Sequence, residues 1–490
     1  MKKWVLALGA GAVALVGTVA ARTAMFKPDA VGDGSGITVA QAPAVDVQAA
    51  GQHLSQAVQI QTISHQNPAE NQVGEWDKLH SWLASTYPKA HAAMQKELLG
   101  KTLVYTWPGS DPAAEPIIVM AHQDVVPVTP GTEKDWKHAP FAGTIVDGEV
   151  WGRGTIDDKG SLVALFEAME ALAGQGFKPK RTVILVSGHD EEAGGSGAMA
   201  AAKLLASRKV KALFTIDEGG IISTDTPMIN GPAALIGIAE KGYMTLRVTA
   251  NAPGGHSSAP PLPNEIGTVN LAKAVLAINA KQFPMELRGP AEGMVSVLAA
   301  KAGGASKVAV ANRWLLGGVV MSKMAESPAS AAMLHTTIAP TMLTGSPKEN
   351  VLPQSAEALV NYRIAPWNTS KEVLERAREA TKALPVTVEF TERAPREPSP
   401  VSSTSSPGWN LIAASARADR PGLVIAPYLV VGGTDSRSMA PVSDDVYRFM
   451  PISIASTDIK MLHGTNEHVS LVNLESMIKF YARLIATAAG

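Results

Sequence analysis

One stretch constrains this chain more than any other: Ile117-Ile118-Val119-Met120, followed by Ala121-His122-Gln123-Asp124-Val125-Val126-Pro127. Four apolar residues in a row between Pro116 and Pro127 predict a short buried strand. An imidazole and, two residues on, a carboxylate stand at its end. Alternate residues of extended chain share a side, so Asp124 can reach the ring of His122. A carboxylate on one ring nitrogen fixes the tautomer and frees the other nitrogen for a metal. Taken alone, the stretch is equally read as a strand-end histidine capped by an acid.

The same arrangement recurs along the chain. Gly152-Arg153-Gly154-Thr155-Ile156-Asp157-Asp158-Lys159-Gly160 sets a pair of acids between glycines just ahead of a helical pattern. An Asp amino-cap would account for it by itself. Ser187-Gly188-His189-Asp190-Glu191-Glu192 follows the apolar run Thr182–Ser187, and three successive acids at a strand end repel one another unless a cation sits among them. Asp217-Glu218 follows Ala212–Ile216, and His463-Gly464-Thr465-Asn466-Glu467-His468 lies near the carboxyl end. Open α/β sheets place their sites at the carboxyl ends of strands. One group per stretch gives His122, Asp157, Glu192, one of Asp217 or Glu218, and His463. Two imidazoles and three carboxylates suit two zinc-like ions that share one carboxylate. Each stretch alone is weak; five together are not.

Composition closes off other chemistries. The chain has 490 residues and no cysteine, which excludes disulfides and thiolate metal sites and requires more than one domain. With 43 basic against 44 acidic residues, nothing points to nucleic acid. Lys2 and Lys3 precede an uncharged run, Trp4 to Ala21, so 1–26 is expected to be a secretory signal peptide or a retained membrane anchor. Either exports the rest, to the periplasm or as a secreted or membrane-tethered protein. Gly, Pro, Asp and Ala predominate over 27–44, which is expected to be a linker.

Periodicity predicts helices over Val45–Ile63, Glu75–Tyr87, Ser161–Ala173 and Gly197–Ser207. Strands are predicted over Lys101–Trp107, Ile117–Met120, Gly143–Trp151, Thr182–Ser187 and Val210–Ile216. Strands alternating with helices give an α/β sheet covered on both faces. Val308–Val310, Trp314–Leu316, Val319–Met321 and Met324 lie in a long segment from Phe283 to Met333. They are expected either to pack a core or to line an apolar pocket for a bulky acyl group.

The motifs His122–Pro127, Gly152–Gly160, Gly188–Glu192, Gly432-Gly433-Thr434-Asp435-Ser436-Arg437 and His463–Glu467 occur in the order of metallopeptidase family twenty. Over residues 45–490 the chain resembles that family, most of all its branch of Gly-Xaa carboxypeptidases and N-fatty-acyl-amino-acid hydrolase/synthases. The resemblance implies a di-metal catalytic domain with a central mixed sheet, built from 45–240 and 398–490. A smaller α+β lid or dimerisation domain, 241–397, interrupts it. It further implies two divalent metal ions, zinc, held by His122, His463, a bridging Asp157, Glu192 and either Asp217 or Glu218. Glu218 is favoured slightly because it directly precedes Gly219. Glu191 matches the general base and Asp124 the group that orients His122. His256, Asn350 and Arg363 match lid residues that hold substrate, His256 from the partner subunit of a homodimer. The implied activity is hydrolysis of the amide next to a carboxyl-terminal amino acid, in a small peptide or an N-acyl amino acid. The alternatives are acylase or N-fatty-acyl hydrolase/synthase activity and, outside enzymes, a non-catalytic binding protein on the same fold.

Overall fold

Ile117–Met120 takes the middle of the sheet because every one of its side chains is buried. It runs parallel to Val183–Ser187 on one side and to Phe214–Asp217 on the other. In this computed structural model, which describes residues 2–28 and 31–490, these three strands centre a ten-stranded mixed sheet. Met1 of the expected export segment, and Asp29 and Ala30 of the expected linker, lie outside the described residues. One flank is the antiparallel hairpin Gln95–Leu99 and Thr102–Trp107; the other carries Val446–Arg448, Gly231–Glu240, Ile222–Thr226 and Ser453–Ile454, with Val424–Val430 parallel to Gly231–Glu240. Helices Val47–Gln59, Lys159–Gly174 and Leu471–Ala489 bury one sheet face around Leu54, Phe166 and Ile478, and Ser196–Ser207 covers the other around Ala201 and Leu205. A sheet dressed on both faces is what the continuous apolar strands required.

Gly143–Trp151 forms a hairpin, Thr144–Val146 and Glu149–Trp151, rather than one strand. Asp147 and Gly148 turn it, with φ of 52° and 77°. Val210–Ile216 is irregular as far as Leu213 apart from a single parallel bridge from Ala212 to Ser443, and the strand proper is Phe214–Asp217.

At Glu240 the chain leaves the main sheet, and from Gly242 it builds a second, antiparallel sheet of Thr337–Thr344, Ser355–Ile364, Gly242–Asn251 and Thr387–Phe390. Helices Gly267–Ala280 and Ser370–Thr381 pack on this sheet around Leu246, Leu271, Val360 and Val373. The chain is back at Ser399, whose N–H donates to the Glu240 carbonyl at 3.2 Å.

The segment 283–333 belongs elsewhere. It folds as helices Gly289–Ala302, Gly304–Ala311, Arg313–Met324 and Pro328–Ala332. Their buried residues Val295, Val310, Val320 and Met324 form a core with Ala239 and Leu429 of the main sheet, while Trp314, Leu315 and Val319 stay exposed. Helix Lys2–Met25 ends against this insert, where Asn312 donates its amide to the Thr23 hydroxyl at 3.0 Å. Among the described residues no helix is long and apolar enough to cross a membrane.

The stretch expected as a linker is extended chain fastened to the catalytic body from residue 31 on. The Gly32 carbonyl accepts from the Trp409 indole at 2.6 Å, and Gly34, at φ 72°, runs so close to Ala414 that a Cβ would lie 2.4 Å from its backbone nitrogen. Glycine there serves close packing, not free reach.

Candidate metal centre

Parallel strands put their carboxyl ends in a row, and the acids and imidazoles follow. His122 follows Met120, Glu191 and Glu192 follow Ser187, and Glu218 follows Asp217, all at the carboxyl ends of these central parallel strands. The loop with Asp157 and the loop with His463 approach from outside the sheet. A buried acid, Glu467, staples them. Its Oε1 accepts from the N–H groups of Gly154, Ile156 and Asp157 at 2.9–3.1 Å, and its Oε2 accepts from Arg153 Nη1 at 2.7 Å. Arg153 in turn donates to the carbonyls of His463 and Gly464, at 3.2 and 2.8 Å. Both residues stand inside the motifs, yet nothing in sequence spacing assigns them this role.

Asp157 is the hub. One of its oxygens lies 2.9 Å from His122 Nε2 and the other 3.1 Å from His463 Nε2. His463 Nε2 is also 3.2 Å from Glu192 Oε1. His463 holds φ of 58°, the left-handed region, which turns its ring back towards the acids. Glu192 Oε1 is buried yet accepts no well-formed hydrogen bond, an expensive state unless something else meets it. Three sets of ligand atoms lie within 4.8 Å of one another: His122, Asp157 and Glu218; Asp157, Glu192 and His463; and His122, Glu191 and Glu192. Imidazole and carboxylate donors without sulfur or amide suit zinc or a similar divalent ion, so the residues fit such a group.

The electrostatics call for positive charge. Burial pushes the Glu191 carboxyl well up, and the neighbouring Asp435, Glu192 and Asp124 push it further. Burial likewise raises Glu218, with Asp157, Asp158 and Asp217 adding to it. The carboxylates of Asp157 and Glu192, 3.1 and 3.2 Å from its Nε2, push His463 up to about 10. Burial opposes the charge on His122, but Asp124 and Asp157 outweigh it and carry its value well up.

Asp124 does more than orient a ring. His122 Nδ1 is 2.9 Å from its backbone carbonyl and 3.4 Å from its Oδ1, while the two carboxylate oxygens accept the N–H groups of Glu191 and Glu192, each at 3.1 Å. Asp217 turns away and accepts from Ser436 N–H at 2.9 Å.

These groups open into a cleft of about 490 Å³. Its lining combines apolar side chains, Ile221, Val430, Val431, Met450 and Leu462 with the ring of Tyr428, and basic ones, Arg363, Arg393, Arg396 and Arg437 with Tyr243. No residue of 283–333 lines it, so the insert does not form the acyl pocket its apolar runs suggested. It packs instead behind two of the lining residues, Tyr428 and Val431. Arg363 lines the cleft, stacked 4.9 Å over Tyr243. His256 and Asn350 do not line the cleft. They are neighbours on a small ribbon, Gly255–His256 with Val351–Leu352, where Ser257 N–H donates to the Asn350 carbonyl at 3.1 Å.

The sequence of peptidase family M20/M25/M40 matches residues 118–487, three quarters of the chain and every stretch that meets at Asp157. The chain belongs to that family. This M20 protein is 35% identical to human N-fatty-acyl-amino acid synthase/hydrolase PM20D1 over 89% of its own length and 87% of the relative's. It is 32% identical to carboxypeptidase S of Saccharomyces cerevisiae over 87% and 82%. In fold it is similar to the M20 metallo-carboxypeptidase Sso-CP2 of Sulfolobus solfataricus, with a TM-score of 0.66 at 18% identity, covering 91% of this chain and 99% of that one. It is therefore an M20-family metallo-amidohydrolase with a central mixed sheet and a smaller α+β domain.

Proposed function

We propose that this M20 enzyme hydrolyses the amide that joins an acyl group to a free amino acid, with two zinc ions at Asp157. The observation that carries this reading is the single carboxylate of Asp157 set between His122 and His463, 2.9 and 3.1 Å away. His122, Asp157 and Glu218 would hold one ion, and His463, Asp157 and Glu192 the other. Bound there, such ions supply Lewis acidity and a water of lowered pKa.

The remaining work falls to the chain. Glu191, pushed up by burial, is suited to take a proton from the attacking water on its carboxylate oxygen and pass it to the leaving amide nitrogen. Water adds to the acyl carbon, the C–N bond breaks, and a carboxylate and a free amine leave. Arg363 presents a fork to the α-carboxylate, which a lysine could not match with two parallel bonds. His256 of a second subunit would supply a donor to the oxyanion.

A specific observation favours an N-fatty-acyl amino acid over a dipeptide. The cleft is lined by Ile221, Val430, Val431, Met450, Leu462 and the ring of Tyr428, and the helical insert packs behind Tyr428 and Val431. The relative named for N-fatty-acyl-amino acid hydrolysis is similar along nearly the whole chain. Export is proposed from the uncharged run after Lys2 and Lys3.

Glu191→Gln tests the base. The variant should retain its metal by elemental analysis and lose about 10²–10⁴ in rate against N-acyl amino acids. Normal turnover by the variant would remove Glu191 from that role.

A further inference from the structure

The lining of the cleft holds more positive charge, Arg363, Arg393, Arg396 and Arg437, than one α-carboxylate requires. Arg437 is matched inside the protein by Glu240, 2.6 Å away. Arg363, Arg393 and Arg396, among the described residues, form no ion pair with an acid. Arg363 and Arg393 stack on the same ring, Tyr243, at 4.9 and 5.2 Å. Arg393 Nη2 and Arg396 Nη2 converge on Gly194: a Cβ added there would lie 3.3 and 3.6 Å from them. Arg396 also donates to the Gly194 carbonyl, three residues beyond Glu191. Like charges gathered at a half-buried cleft repel unless an anion joins them. Burial and the charges of Arg437 and Arg393 accordingly hold both Arg363 and Arg396 below the ordinary guanidinium value.

We propose that the cleft selects an amino acid carrying two carboxylates, with Arg363 on the α-carboxylate and Arg393 and Arg396 together on the side-chain carboxylate of an acidic residue. Gly194 has no side chain, and that leaves room between the two forks for the second anion. The bland reading makes Arg396 a latch from the smaller domain to the Gly194 turn, with Arg393 a solvated neighbour. A latch has no stake in the substrate's charge. The proposal rests on the amidohydrolase reading and narrows its substrate class.

The test compares N-acyl-glutamate, N-acyl-aspartate and N-acyl-glutamine of one acyl length with the metal-loaded full-length enzyme. The glutamate or aspartate substrate should exceed glutamine in kcat/KM on the order of 10-fold, the scale of a two-guanidinium contact in which Arg396 is half-buried and Arg393 exposed. Most of the difference should lie in KM, and added salt should shrink it. Arg393→Gln should bring the ratio close to one, and Arg393→Lys should restore part of it. Arg396→Gln should do the same if it folds; Arg393, which is exposed, decides the matter if it does not. Equal handling of glutamate and glutamine by the wild type, or a ratio untouched by Arg393→Gln, overturns the proposal. Binding of the same three compounds to metal-loaded Glu191→Gln, by calorimetry, separates it from the reaction. If nothing is hydrolysed but the acidic compounds bind tighter, the reaction reading fails and the charge selectivity stands.

Discussion

Asp217 and Glu218 are adjacent acids at one strand end, and backbone geometry faces them apart. Tertiary partners then separate their roles. Ser436 N–H occupies Asp217, while the Glu218 carboxylate closes with His122 and Asp157. Glu218→Gln should therefore cut the bound metal by about half, because a neutral amide is a poor ligand for a hard dication. Asp217→Asn should keep both equivalents, since its remaining carbonyl still accepts from Ser436. Metal content of the two purified variants checks this, and the reverse pattern would exchange the two assignments. The pair also marks the reach of sequence reasoning at this level. Residue type and spacing bring an acid to the site, but which of two neighbours faces inward depends on Ser436, 219 positions beyond Asp217.

The strand Gly231–Glu240 ends in the one acid that ties cleft, sheet and second domain together. Glu240 is fully buried, 2.6 Å from both Arg448 Nε and Arg437 Nη2, and accepts from Thr434 N–H and hydroxyl at 3.0 and 2.7 Å. Burial alone would raise its carboxyl, but Arg448 and Arg437 bring it from 4.5 down to about 2. A carboxyl depressed in the folded state stabilises it above the unfolded value, and that contribution drains away as pH falls from about 4.5 towards 2. Glu240→Gln leaves two guanidiniums, one of them fully buried, without their acid and should cost about 3–5 kcal/mol at neutral pH. Its denaturation midpoint should also fall less than the wild type's on acidification. Parallel pH profiles for the two proteins would show that Glu240 is not the group that titrates. Arg437 reaches the cleft from this network, so the variant should lose substrate affinity as well.

Across the whole molecule, the ribbon bearing His256 and Asn350 has no task in its own chain's cleft. The proposal that it serves a second subunit has a direct consequence. On that proposal Glu191→Gln and His256→Ala chains should each be inactive, while a mixed dimer would hold one site with both groups intact. Equal mixing with free exchange should restore about a quarter of wild-type activity, since half the dimers are mixed and each has one good site. No recovery despite demonstrated exchange would take His256 out of the partner's site.

Some features of this protein are local, and those are the ones its sequence determined. Apolar strands ending in His122, Glu192 and Glu218 need only short-range chemistry: a period, a glycine turn, a metal-competent side chain. The order of the motifs adds the family, and with it the mixed sheet and the inserted α+β domain. Other features arise where distant segments meet, and only the tertiary structure decided them. The helices of 289–332 read as lid from their place in the chain, yet they pack on Ala239 and Leu429 because the main sheet's outer face offers them apolar surface. The extended chain from 31 to 44 reads as linker from its glycines, yet those glycines let it lie against Trp409 and Ala414. Arg393 and Arg396 carry no motif at all. Their meaning comes from converging on Gly194, some 200 residues away in sequence, and burial beside other charges is a property of the folded neighbourhood alone.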